Sequence, residues 1–89
     1  MTPFEPITLR VTQPTPDQVK AARKAVKLTQ AQAALLVSPV GPERAERAWQ
    51  GYEVEVGKTD HRAMPLAVWE LFLLLTGQHP AHHLVARAA

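Results

Sequence analysis

The chain has 89 residues, 46% of them apolar and 20% charged, and it contains no cysteine. That excludes a disordered tail, a coiled coil, a disulfide framework and thiolate chemistry, and fits one small domain below the ~100–150 residues of an ordinary one. Ten Lys/Arg against eight Asp/Glu give a net charge of +2, and the excess is local: between residues 15 and 37, Asp17 stands alone against Lys20, Arg23, Lys24 and Lys27.

So short a chain encloses little core around a substrate. No nucleophile–base pair stands out, and none of the four glycines has the spacing of a phosphate-cradling loop. The expectation is therefore a protein that is not an enzyme and needs no cofactor or small-molecule substrate. The longest apolar stretch, Ala63–Gly77, is broken by Glu70 and falls short of the ~20 residues that span a bilayer. The first ten residues carry prolines and a glutamate where a secretory signal has its apolar segment, so a cytoplasmic, membrane-free location is expected.

Residues 1–14 alternate Ile7, Leu9 and Val11 with Thr8, Arg10 and Thr12, bracketed by Pro3, Pro6 and Pro14. Either an edge strand or a flexible arm fits that pattern. A first helix opens at Thr15 as N-cap with Pro16 and Asp17 behind it, and buries Val19, Ala22 and Val26. Its Lys20, Arg23, Lys24 and Lys27 form the opposite face, a solvated surface or a cationic one that meets a polyanion. Thr29 caps a second, Ala-rich helix, Gln30–Val37, with Ala33, Leu36 and Val37 on one side. Ser38-Pro39-Val40-Gly41 breaks the chain.

The third helix begins at Pro42 and runs to Glu53. Ala45, Ala48, Trp49 and Tyr52 fall on one face, and Glu43, Arg47, Gln50 and Gly51 on the other, flanked by Arg44 and Glu46. The indole is expected in the core. The outer face has two readings: i, i+4 pairs Glu43–Arg47 and Glu46–Gln50 that only stabilise the helix, or base-reading side chains. Val54 and Val56 permit a short second strand over 52–57, followed by a polar loop with Lys58, His61 and Arg62. A fourth helix from Met64 or Pro65 to Thr76, stopped by Gly77, is apolar almost all round; its surplus predicts a homodimer seam at Trp69, Phe72 and Leu73. The tail, 78–89, allows a short helix from Pro80. His79, His82 and His83 lack a fourth acidic or thiol ligand in that segment, and no metal is expected.

Helix, Thr-Gln-led helix, turn, helix is the order of a helix-turn-helix. Ala22–Ser38 (ARKAVKLTQAQAALLVS) resembles the opening of the lambda-repressor-like, Xre-type DNA-binding domain. Arg47–Glu53 (RAWQGYE) with Met64–Gly77 (MPLAVWELFLLLTG) resembles a branch found in small phage and plasmid regulators, including those accompanying anti-CRISPR operons. Ser38–Arg44 and Val54–Arg62 are both longer than the family's usual segments. The resemblance covers 15–77 and implies an all-α domain of about five short helices, with a small β element as an option, that binds a double-stranded operator. It further implies an autoregulatory repressor, with Gln30 making a main-chain contact to phosphate.

Chemistry adds the side chains. Arg44, Arg47 and Gln50 match guanine and adenine edges, Glu46 can accept from cytosine, and Gly51 would admit close approach to bases. Thr29, Gln30, Lys24, Lys27, Lys58 and Arg62 are the expected contacts to the sugar–phosphate backbone, with solvated loop charges as the equal alternative for Lys58 and Arg62. The rival expectation is a protein-interaction module, antitoxin-like or a scaffold, that works through the apolar fourth helix.

Overall fold

Two threonines start the helices that carry the architecture. Thr15 Oγ1 accepts from Gln18 N while the Gln18 side chain accepts from Thr15 N, and Thr29 and Gln32 repeat the arrangement. Each reciprocal pair satisfies helix N–H groups that have no partner within the helix. The computed structural model describes residues 4–87 and contains α1 (Ile7–Arg10), α2 (Pro16–Ala25), α3 (Gln30–Val37), α4 (Pro42–Tyr52) and α5 (Leu66–Leu75). The protein is all-α, and no strand occurs among the described residues.

The core forms where the small face of α3 meets the aromatic face of α4. Ala33 and Ala34 are buried beside Ala45 and Trp49, and α3 packs more extensively on α4 than on any other helix. Alanines let the helix axes approach closely. Trp49 and Phe72 are both 0% exposed, with ring centroids 4.9 Å apart and planes tilted by 56°. Trp69 also stacks on Phe72, with centroids 6.4 Å apart. Such aromatic contacts add to the ~25 cal/mol per Å² gained by burying apolar surface.

Helix ends explain the turns. Lys27 follows α2 with φ +58°, and Leu28 N and Lys27 N donate back to the carbonyls of Arg23 and Lys24. Gly77 ends α5 with φ +72°, and Gln78 N and Gly77 N donate to Leu73 and Leu74. Both are Schellman closures, but only the second uses the residue that enters this conformation without a steric cost.

Several sequence expectations are corrected. The alternation at Ile7–Val11 forms a helical turn instead of a strand: Leu9 N donates to Pro6 O and Val11 N to Ile7 O. Arg10 then reaches across to α5, where it grips both carboxylate oxygens of Glu70 at 2.7 Å and also bonds the Glu5 carbonyl. With Gln13 Nε2 donating to Met64 O, this segment is docked rather than a free arm; residues 1–3 of the expected arm lie outside the described residues. The proposed strand at 52–57 is absent because α4 continues to Tyr52 and the chain then turns, leaving Val54 half-buried and Val56 exposed. The tail has no helix among the described residues: His79 Nε2 bonds Glu70, its Nδ1 accepts from Ala81 N and His82 N, and 78–87 runs without repeating backbone bonds. Residues 88 and 89 are outside the described residues.

The dimer seam is corrected as well. Trp69, Phe72 and Leu73 are 8%, 0% and 7% exposed within a single chain, so they form its own core and cannot face a second copy. What α5 leaves outside is Leu71 and Leu75, 41% and 44% exposed and one turn apart. On α3, Leu36 is likewise outside, at 44%, with Leu35 beside it. Among the described residues no helix is long and apolar enough to cross a membrane.

Candidate nucleic-acid interface

The orientation of α4 is set by one buried carboxylate. Trp49 lies inside and donates its indole N–H to Glu53 Oε2 at 2.6 Å, one turn along the same helix. Glu53 also accepts Nε and Nη2 of Arg23 at 2.7 and 2.9 Å and Nε2 of Gln30 at 3.2 Å. Arg23 in turn donates to Leu28 O, so α2, the α2–α3 connection, α3 and α4 are joined through one carboxylate. Burial pushes the Glu53 carboxyl up, but Arg23, Trp49 and Gln30 together hold it below the usual carboxylate range; the same pairing raises Arg23. Arg23 is therefore structural and leaves the expected cationic face, which keeps Lys20 and Lys24 exposed on α2 and Lys27 exposed just beyond it.

With Trp49 and Ala45 inward, helical geometry turns Arg44, Arg47 and Gln50 outward, and all three are exposed. Neither expected i, i+4 pair forms, and neither Arg44 nor Arg47 belongs to an ion pair among the described residues, whereas Arg10–Glu70, Arg23–Glu53 and His79–Glu70 do pair. Glu46 is half-buried.

A compact loop brings Arg62 to the same side. The chain leaves α4 after Tyr52 and returns so that Arg62 N donates to Gly51 O at 3.0 Å. Inside the loop His61 Nδ1 donates to Val54 O at 2.8 Å, Lys58 N to Glu55 O and His61 N to Lys58 O. Loops of this length with touching ends are compact surface units. Two grooves result. One, of about 510 Å³, is lined by Arg47, Gln50, Gly51, Val54 and residues 59–62; the other, of about 290 Å³, by Ser38, Val40, Arg44, Arg47, Ala48 and Arg62. Arg47 and Arg62 border both.

The structure thus gathers Arg44, Arg47, Gln50, Gly51 and Arg62. It does not gather the rest: Lys24 and Lys27 lie at the end of α2, Lys58 is exposed in the loop, and none of the three lines either groove. Thr29 is committed to capping α3, and the Gln30 side chain turns toward Glu53, leaving the α3 end only main-chain groups to offer. Gly51 is a correction. It is buried, and the space before it is filled by the Arg62 stem, so it admits a side chain of its own protein and not a base. Ser38, Thr59, Asp60 and His61 also line the grooves. Nothing in their local sequence marks them, because the loop closure places them. Among the described residues no three His, Asp or Glu side chains converge to hold a metal. Comparison of the chain with protein-family models, with curated proteins and with solved structures finds no match.

Proposed function

We propose that the protein is a sequence-specific DNA-binding regulator, with α3, the Ser38–Gly41 turn and α4 acting as a helix-turn-helix. The observation that carries this reading is the division of α4. Trp49 and Ala45 are sealed inside, while Arg44, Arg47 and Gln50 stand exposed, the two arginines without an ion pair among the described residues and Arg62 beside them. Guanidinium forks match guanine edges and phosphates, and an amide matches adenine. Leaving such arginines unpaired suits a surface that exchanges counterions for phosphates.

In this reading α4 enters the major groove and Arg44, Arg47 and Gln50 read bases. Main-chain N–H groups at the start of α3 and the side chains of Lys24, Lys27, Lys58 and Arg62 meet the sugar–phosphate backbone. Two copies, joined through the leucines that α5 leaves outside, place their α4 helices roughly 34 Å apart on an inverted repeat. Occupancy over a promoter represses transcription, including that of the protein's own gene, without any catalysed reaction. The rival, a module that binds another protein through Leu71 and Leu75, draws on the same exposed leucines but gives the unpaired arginines no role.

A mobility-shift titration against DNA from upstream of the gene, at low and raised salt, separates the two. The DNA reading expects a specific shift whose affinity falls steeply with salt. No specific shift at either salt supports the protein-interaction module instead.

A further inference from the structure

Gly51 sits within α4, where glycine is a poorer helix residue than alanine. The cost has a structural counterpart. A Cβ at this position would lie 3.0 Å from Arg62 Cγ, 3.1 Å from its Cδ and 3.2 Å from its Cβ. Those distances are closer than ordinary packing, so the glycine is the seat on which the Arg62 stem rests. The Arg62 main chain is fixed to the same residue by its bond to Gly51 O.

We infer that Gly51 is a positioning residue for DNA binding. It holds the stem of Arg62 against α4, so that the Arg62 and Arg47 guanidinium groups flank one groove and grip a backbone phosphate between them. The inference rests on the reading of α4 as the DNA-binding helix and adds to it the device that aligns Arg62 beside that helix. Both arginines border the 510 Å³ groove, where Asp60 is the one opposing charge, and both border the groove that holds Arg44. A planar guanidinium binds phosphate through paired hydrogen bonds, which demands a fixed approach. A stem already packed on Gly51 loses less freedom on binding than a free arginine, and that preorganisation favours affinity. Asp60 disfavours phosphate, so Asp60→Asn is expected to tighten binding.

The test compares wild type, Gly51→Ala, Arg62→Ala, the double variant and Arg62→Lys. Each is titrated by fluorescence anisotropy, over a range of salt, against the upstream duplex and an unrelated one. Arg62→Ala is expected to weaken both duplexes alike and to reduce the salt slope by about 1, the loss of one phosphate contact, and Gly51→Ala, which displaces the Arg62 stem but keeps its charge, to weaken both alike by a smaller factor. Alanine is expected to add nothing in the Arg62→Ala background, since both changes remove the same contact. Arg62→Lys restores part of the affinity. Melting temperatures of all variants are recorded beside the titrations, so that affinities are compared only between folded proteins, at a temperature below every unfolding transition. Unchanged affinity in Gly51→Ala, or fully additive losses in the double variant, overturns the inference. If Arg47→Ala weakens binding while Gly51→Ala does not, the inference alone fails; if wild type binds neither duplex, the reading of α4 fails with it.

Discussion

The indole N–H of Trp49 on α4 and the carboxylate of Glu53, the residue that caps that helix, meet at 2.6 Å, and the bond is part of a four-residue network with Arg23 and Gln30. It couples the packing of the helix to the direction its outer face looks. An aromatic ring buried without a partner for its N–H would carry an uncompensated polar group; here the partner also neutralises a buried guanidinium.

Removing that carboxylate leaves Arg23 without a counter-charge. Glu53→Gln is expected to destabilise the fold by about 3 kcal/mol, and replacing Arg23 by Met in the same chain to recover much of it. Trp49→Ala is expected to cost about 3–5 kcal/mol through the cavity it opens. Urea unfolding measures all three. A Glu53→Gln variant as stable as wild type would show that the network contributes nothing.

Acid should loosen the contact between the N-terminal segment and α5. The paired bonds from Arg10 pull the Glu70 carboxyl down most; burial opposes them, and the His79 bond adds to the lowering, leaving the group at about 2 against an ordinary 4.5. A folded-state value below the unfolded one means stability that is fully present above 4.5 and is lost as the pH falls toward 2. Urea midpoints followed down through this window should therefore drop more steeply in wild type than in Glu70→Gln. Equal slopes would count against the contact's contribution.

Lys27 adopts φ +58°, a left-handed conformation that costs a non-glycine residue roughly 1 kcal/mol. Lys27→Gly is expected to raise stability by about that amount. If Lys27 also meets the DNA backbone, the same variant weakens binding slightly and equally on unrelated duplexes. Thermal unfolding and anisotropy read the two effects separately; a lower melting temperature would contradict the Schellman assignment.

The elements with local signals were legible in the sequence. Thr15 and Thr29 cap helices, Gly77 ends one, and of the i, i+3, i+4, i+7 set on α4 Ala45 and Trp49 are buried while Ala48 and Tyr52 are half-buried at its margin. What depended on distant partners was not. Period-two alternation at Ile7–Val11 became a helical turn because Arg10 finds Glu70 sixty residues on. The apolar richness of α5 says how much it buries and not which side, so Trp69, Phe72 and Leu73 looked like a seam when they are core. Of the candidate interface, Arg44, Arg47 and Gln50 could be read from helical periodicity. Gly51 is not legible in this way, because its neighbour Arg62 comes back through a loop whose closure no local pattern announces.

The measurement closest to the central claim is the operator affinity of Arg47→Ala, with its melting temperature as a control. Arg47 is exposed and makes no ion pair among the described residues, so the fold should be untouched while specific binding weakens by ~1–3 kcal/mol and one operator position loses its preference. A normally folded Arg47→Ala protein that binds the operator as tightly as wild type would contradict the assignment of α4 as the reading helix.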